Sequence, residues 1–193
     1  MADCFVELVK MAKAISEIPP FPNGDFKRKC TAIFNKRWKE FNIDVYLLAF
    51  FLHPKYRGKN LILNYLYSNY ININRNLKFL GSCFQRNVLK SKYISRIAVN
   101  IWKSQCGGGN ESANLLLTQM DLYRNREDPF DEDHPYTEHV NTPMNWWSSL
   151  MLERGMDLIR RLALKLHAIM PHNADCECIF SILGWFLGKQ HTK

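Results

Sequence analysis

A chain of 193 residues, 47% hydrophobic and 13% aromatic, can bury a core, which excludes a wholly disordered protein. No apolar run approaches the ~20 residues that a membrane-spanning helix needs. The net charge of +8 is uneven: residues 1–106 hold 18 Lys and Arg against 6 Asp and Glu, whereas residues 107–193 hold 8 against 12. The basic half indicates an anionic partner, most commonly nucleic acid, although a solvated basic surface explains the charge equally well.

The first two elements are predicted to be amphipathic helices. Apolar residues recur at helical spacing over 3–17. The PPFPNGD stretch at 19–25 then breaks the chain. A second helix is predicted from Asp25, placed as its N-cap, to about Phe41. Its outer face carries Lys27, Arg28, Lys29, Lys36, Arg37 and Lys39.

The middle of the chain begins with VYLLAFFL at 45–52, which is apolar throughout and fits a buried strand or a buried helix equally well. His53-Pro54 ends this segment. Residues 60–70 and about 76–104 predict further helices with basic outer faces. The glycines at 107–109 lack the Lys and Ser or Thr of a phosphate-binding loop, so they predict a flexible joint.

The helix predicted after this joint runs from Asn110 to about Tyr123. Its expected buried residues are Leu115, Leu116 and Met120. An acidic, proline-containing stretch follows at 126–136, with five acids between positions 127 and 133. We predict that this stretch is a mobile insertion.

Three more helices are predicted in the last third. Thr142 as N-cap and Pro143 at the first helical position begin a short one. An amphipathic helix follows over 156–170, and a final helix begins near Asn173. Few segments alternate as strands do, so the predicted fold class is mainly α. We divide the chain into a basic helical region (1–106), a joint with a helix and an acidic loop (107–136), and a C-terminal region (137–193).

Generic catalytic and metal motifs are absent from the sequence. The six cysteines are dispersed without a Cys-x-x-Cys pair, and no secretory signal precedes them, which predicts reduced thiols inside the cell. No metal site is predicted, because His and Cys residues at 167–178 lack the paired spacings of a zinc centre. Glu177 either caps the first turn of the final helix, which its position favours, or binds Mg²⁺.

Two segments resemble the hAT superfamily of DNA transposases. One is YLLAFFLHPKYRGK at 46–59. It is similar to that family's apolar run, which is followed by His or Asp, then Pro, a basic residue, Tyr and a second basic residue. The other comprises Asn145-Trp146-Trp147, the RRLALKLHAIMP helix, and HNADCECIFSILGWF at 172–186, which is similar to the C-terminal signature. The resemblance covers roughly 37–187 in order.

The resemblance implies a helical fragment of an interrupted ribonuclease-H-like fold that lacks the central β-sheet. Glu177 corresponds to the family's catalytic glutamate, and 137–193 to its dimerisation region. We expect the two upstream catalytic aspartates and the zinc-bearing BED domain to lie outside the chain, which stops just short of the family's usual end. Cys178 replaces an expected arginine. Because two Mg²⁺ ions need several bridging carboxylates, we expect no independent catalysis and no bound cofactor.

The expected function is a dimerisation or DNA-associated module, in the nucleus by resemblance and otherwise in the cytoplasm. Its partners would be a second copy or a related transposase, and DNA, without a membrane. The residues expected in the core or dimer interface are Trp146, Trp147, Leu162, Leu166, Phe180, Leu183 and Trp185. The residues expected to contact nucleic acid are Lys36, Arg37, Lys55, Arg57, Lys59, Lys90 and Lys92.

Two alternative activities remain open, beside a chain that is an unselected relic without function. The first is a helical module that binds nucleic acid without sequence preference through the basic half. The second is a Mg²⁺-dependent nuclease that uses Glu177 with Asp157 or Asp175, ranked last because one acid does not form the centre. Metal-dependent nicking that disappears in Glu177→Gln would reveal the nuclease.

Overall fold

Seven α-helices and no β-strand make up the part of the chain that the structure, a computed structural model, describes: residues 1–19, 24–38, 43–57, 91–106, 108–131, 133–153, 155 and 157–169. The mainly helical fold class is confirmed. The helices are α1 (Ala2–Glu17), α2 (Gly24–Trp38), α3 (Ile43–Phe51), α4 (Ser91–Gln105), α5 (Asn110–Asn125), α6 (Pro143–Ser149) and α7 (Leu158–Ala168). The helices predicted over 60–70 and from Asn173, and the first part of the one over 76–104, lie outside these ranges.

The helix α1 buries its predicted apolar face against α2 and α3. Lys27 of α2 donates from Nζ to the carbonyls of Ser16 (2.7 Å) and Ile18 (2.9 Å), and so satisfies acceptors at the end of α1. The prediction of Asp25 as an N-cap is wrong, because α2 begins one residue earlier, at Gly24. Asp25 instead lies in the first turn, where Lys29 and, to a smaller extent, Arg28 pair with it and hold its carboxyl pKa below the usual value.

The ambiguous apolar segment forms the helix α3. Leu47 to Leu52 are all buried, because α1, α4 and α7 pack on different sides of α3. A helix surrounded by other helices is apolar on every side, which removes the periodicity that would have distinguished it from a strand. The helix α3 is therefore central to the shared core of the described residues.

The joint between α4 and α5 passes close to an indole ring. A Cβ on Gly108 would overlap the side chain of Trp102, whereas a Cβ on Gly109 would meet nothing. Trp102 is buried and donates from Nε1 to Ser112 Oγ at 3.0 Å. Glycine is thus required at 108 for close approach, and at this one position the predicted flexible joint is packed against the ring.

The helix α5 faces the core with Leu116 and Met120, as predicted, but Leu115 is 39% exposed. Adjacent helical residues point about 100° apart, and α5 buries only one face, so Leu116 turns inward and Leu115 turns outward. The fully buried Gln119 lies on the inward face. Its Oε1 accepts from the backbone N–H of Ile159 (2.9 Å), and its Nε2 donates to the Gly155 carbonyl (3.0 Å). Gln119 thereby caps the first turn of α7, where the Asp157 side chain makes no capping bond.

We expect Gln119→Leu to lower the free energy of unfolding by about 1–3 kcal/mol, because it leaves the buried Ile159 N–H unpaired and removes the donor to the Gly155 carbonyl. Urea denaturation followed by circular dichroism measures this loss. The matched control is Gln105→Leu, since the Gln105 side chain is exposed at the end of α4. An equal loss in both variants would contradict the capping role.

The last two helices follow the prediction in part. Thr142 caps α6 by accepting from the Asn145 N–H at 3.1 Å, with Pro143 at the first helical position, so that prediction is confirmed. The helix α7 is shorter than the predicted 156–170. Described helices from all three predicted regions contribute to one hydrophobic core. Across the described ranges, no helix combines the length and apolar character needed to span a membrane.

Candidate functional site

The HPKYR segment folds as a tight turn directly after α3. The N–H groups of Tyr56 (3.0 Å) and Arg57 (2.8 Å) both donate to the His53 carbonyl. His53 also accepts from the Lys55 N–H at its Nδ1 atom, at 3.1 Å. Arg57 has a φ of 42°, a left-handed conformation that is unfavourable for a residue with a Cβ. The turn directs the Arg57 side chain inward.

Arg57 is only 8% exposed and lies among aromatic rings. Its Cζ is 5.0 Å from the ring centroid of Trp146 and 5.3 Å from that of Tyr123, and its Nη1 donates to the Phe130 carbonyl at 2.5 Å. A guanidinium stays charged when buried, so ring faces and a carbonyl replace part of its hydration. We call Arg57, Tyr123, Phe130, Trp146 and Trp147 the arginine–aromatic cluster.

The two tryptophans connect this cluster to distant parts of the chain. Trp147 donates from Nε1 to the Leu52 carbonyl at 2.8 Å, and Trp146 donates to the His134 carbonyl at 3.0 Å. The two indoles meet edge to face, with centroids 5.1 Å apart. The helix α6 is therefore attached both to the end of α3 and to the acidic loop.

The acidic loop is anchored rather than loose. Phe130, in its middle, is fully buried and packs edge to face on Tyr123, with centroids 5.5 Å apart. Phe130 also accepts the Arg57 hydrogen bond. The mobile insertion predicted for 126–136 is wrong at this point, because one apolar side chain among the acids enters the core.

Tyr123 contributes a buried hydroxyl to the cluster. Its ring contacts those of Phe51, Phe130 and both tryptophans. The hydroxyl has no hydrogen-bond partner among the described residues. Burial raises the phenol pKa of Tyr123 well above its ordinary value, so the group stays neutral.

A pair of histidines lies beside the cluster. His53 is 4% exposed, and its ring centroid is 5.8 Å from that of His167. The His167 Nε2 lies 3.4 Å from the Leu52 carbonyl, which also accepts from Trp147. Burial lowers the pKa of His53 to about 4, with smaller contributions in the same direction from His167, Lys55 and the N-terminus, against an opposing one from Asp3. Burial also lowers the pKa of His167.

We expect the protein to lose stability as the pH falls from about 6.5 to 4. A histidine with a lowered native pKa binds a proton more tightly in the unfolded chain, so its contribution is complete above the unfolded pKa and is lost below it. For His53, a native pKa of about 4 against an ordinary 6.5 implies a loss of about 3 kcal/mol by pH 4. His167 acts in the same direction.

Urea denaturation at pH 7, 6, 5 and 4 measures this dependence. The variant His53→Asn is the comparison, since its amide oxygen can accept the Lys55 N–H in place of Nδ1. We expect a shallower fall for the variant. Identical curves for the two proteins would contradict a proton-linked role for His53.

Four predicted core or interface residues are in the core of this chain. Trp146, Trp147, Leu162 and Leu166 are all buried. Their side chains already pack within one chain and do not present a surface to a second. Dimerisation therefore stays a prediction, and it would have to use surfaces other than these four side chains. Glu177, Phe180, Leu183 and Trp185 lie outside the described residues.

The predicted nucleic-acid residues that the structure describes lie on different elements. The expectation for Arg57 is corrected, because its guanidinium is turned into the core. Lys55 pairs with Glu138 at 2.6 Å. Lys36 and Arg37 are in the last turn of α2, which packs on α1, whereas Lys92 is exposed on α4 beside α3 and α5. Lys59 and Lys90 lie outside the described residues.

Two partners of the motif residues, Tyr123 and Phe130, were not predicted from the sequence, and neither was the capping role of Gln119. An apolar Phe130 within an acidic stretch was a usable signal for an anchor. The described ranges contain no group of three or more His, Cys, Asp or Glu side chains placed to hold a metal ion. The described contacts hold the buried Arg57 cation and two neutral imidazoles against the aromatic rings, and this arrangement stabilises the fold.

Comparison of the chain with protein-family models, curated proteins and solved structures gives no match.

Proposed function

We propose that the chain is a hAT-transposase-like helical module that associates with DNA and with a second protein chain, without independent catalysis. The ribonuclease-H-like origin of its helices and a location in the nucleus belong to the same proposal. Glu177 is the one carboxylate that the resemblance assigns to a two-metal centre, and such a centre needs several. The activity proposed is therefore binding.

The observation that carries the proposal is the meeting of the two segments that resemble the family. Leu52 and Arg57 belong to the first segment, and Trp146 and Trp147 to the second. They are 95 positions apart at the Leu52–Trp147 hydrogen bond, yet they form one buried cluster. Motifs of a shared fold are expected to pack together in this way, whereas chance likenesses need not.

The charge distribution supports the DNA association. Residues 1–106 hold 18 basic and 6 acidic residues. Clustered cations bind nucleic acid by releasing counterions from its backbone, so affinity falls steeply with salt. Fluorescence anisotropy with a labelled 20-base-pair duplex at 50 to 200 mM NaCl tests this association. We expect log K to fall linearly with log salt, and affinity that barely changes with salt would refute DNA association.

Association with a second chain is tested separately. Val140 (75% exposed) and Met151 (93% exposed) flank the α6 helix as apolar side chains in solvent. We expect sedimentation equilibrium at high micromolar concentration to show self-association. A monomer under those conditions would refute the self-association part and leave DNA association standing.

A further inference from the structure

We propose that an exposed basic stripe on α4 and α7 is the surface through which the chain contacts the phosphate backbone of duplex DNA. The stripe consists of Lys92, Arg96, Lys103, Arg161 and Lys165, all of them exposed. This inference rests on the proposed DNA association. It adds the location of the contact, because only Lys92 among the five stripe residues was predicted from the sequence to bind nucleic acid.

The stripe follows one line along α4. Arg96 and Lys103 follow Lys92 by 4 and 11 positions, which places the three residues within an arc of about 40° on a helix with 3.6 residues per turn. The opposite face is buried through Ile94, Ile97 and other apolar residues. The helix contains no acidic residue. Eleven residues extend about 16 Å, which matches roughly five nucleotide steps along one DNA strand.

The helix α7 continues this surface. The Arg161 guanidinium carbon is 5.4 Å from the ring centroid of Trp102, and Lys165 Nζ donates to the Gln105 carbonyl at 2.6 Å. Both contacts are with the last turn of α4. Because Arg161 and Lys165 are four positions apart, they project from the same side of α7. Cations from two helices therefore converge beside the end of α4.

The cations of the stripe are less neutralised by carboxylates than several other cations on the described surface are. Within the described residues, none of the five cations forms an ion pair with a carboxylate. Lys103 bonds the neutral Oδ1 of Asn110 at 2.6 Å, and Arg96 lies over the Tyr93 ring at 5.0 Å. The nearest acids indicated by contacts are Asp44, which accepts from the Tyr93 hydroxyl, Glu111, which follows Asn110, and Asp157, whose carbonyl accepts from the Arg161 N–H at 2.9 Å.

Other exposed cations are partly neutralised by pairing with carboxylates at 2.6–2.7 Å: Lys10 with Glu7, Arg28 and Lys29 with Asp25, and Lys55 with Glu138. A duplex approaching them must compete with an acid already in place. Five cations against three nearby acids give the stripe a local positive potential, and a polyanion is the partner that fits it.

The test compares two triple variants of the full chain with equal changes in charge. One carries Lys92→Gln, Arg96→Gln and Lys103→Gln. The control carries Lys10→Gln, Arg28→Gln and Lys29→Gln, which are exposed positions on α1 and α2. Anisotropy with the labelled 20-base-pair duplex is measured from 50 to 200 mM NaCl. Thermal unfolding by circular dichroism establishes that each variant is folded.

We expect the stripe variant to bind at least about tenfold more weakly and to lose about three units of salt slope, whereas the control changes little. Equal weakening in both variants would overturn the stripe, because binding would then follow net charge alone. Unchanged binding by the stripe variant, with salt-dependent binding by the unmodified chain, would overturn the stripe and preserve the proposed function. No binding by the unmodified chain would overturn both.

If the stripe variant does not fold, the single variant Lys92→Gln replaces it in the binding test. This substitution removes an exposed side chain and is expected to lower the salt slope by about one unit. Tighter binding to vesicles containing anionic lipid than to the duplex at the same salt would overturn DNA as the partner.

Discussion

Trp147→Ala is expected to lower the free energy of unfolding by about 3–5 kcal/mol. The Trp147 side chain is fully buried between Tyr123 and Phe130, so truncation opens a large cavity in the arginine–aromatic cluster. It also removes the indole N–H donated to the Leu52 carbonyl. In a chain of this size, such a loss corresponds to a fall in Tm of about 6–20 °C.

Urea denaturation followed by circular dichroism at 222 nm measures this loss. Met151→Ala is the control, because that side chain is almost fully in solvent and should change stability by less than about 0.5 kcal/mol. Trp147→Phe separates two effects, since it keeps most of the volume and removes the N–H. A cost below about 1 kcal/mol for Trp147→Ala would contradict the position of α6 against α3.

Arg57→Ala is expected to cost about 2–4 kcal/mol, because it removes a desolvated cation–π contact and leaves a buried carbonyl unpaired. Arg57→Lys should recover only part of this, since an ammonium lacks the planar guanidinium that covers the Trp146 and Tyr123 rings while bonding Phe130. The neighbouring Lys55 is the matched control. Its exposed ion pair with Glu138 predicts a cost of about 0.2–1 kcal/mol for Lys55→Ala.

DNA binding distinguishes a structural Arg57 from a phosphate-binding one. We expect Arg57→Lys to be less stable while keeping the duplex affinity of the unmodified chain under conditions where both are folded. The reverse result, full stability with weakened binding, would show that the side chain faces solvent. Arg57 would then contact nucleic acid, as the sequence predicted, and would not be buried in the cluster.

The sequence predicted those helices whose apolar residues lie on one face. The helices α1 and α5 follow such stripes, and Thr142-Pro143 marks the beginning of α6 through local chemistry alone. The helix α3 was ambiguous because three neighbours bury all its sides. Leu115 was wrongly predicted to be buried because leucine is usually a core residue. The rotation of about 100° per residue turns it away from the face that Leu116 occupies.

The interior of the site was harder to predict because its partners are distant in sequence. The basic HPKYR segment suggested a phosphate contact, but the left-handed turn at Arg57 and the rings of Tyr123 and Trp146 reverse that expectation. No local pattern reveals a cation–π contact between positions 57 and 146. The basic outer face of α4 was predicted from the sequence, because its three cations recur at helical spacing with no intervening acid, but only Lys92 among them was named as a nucleic-acid contact.

The Leu52 carbonyl also constrains when the chain can finish folding during its synthesis. Its donors, Trp147 and His167, are 95 and 115 positions further along. At about 5–20 residues per second, a ribosome needs roughly 5–20 s to add the 95 residues up to Trp147. Throughout that interval α3 can pack on α1, but the face later covered by α7 is open to other nascent chains and to chaperones.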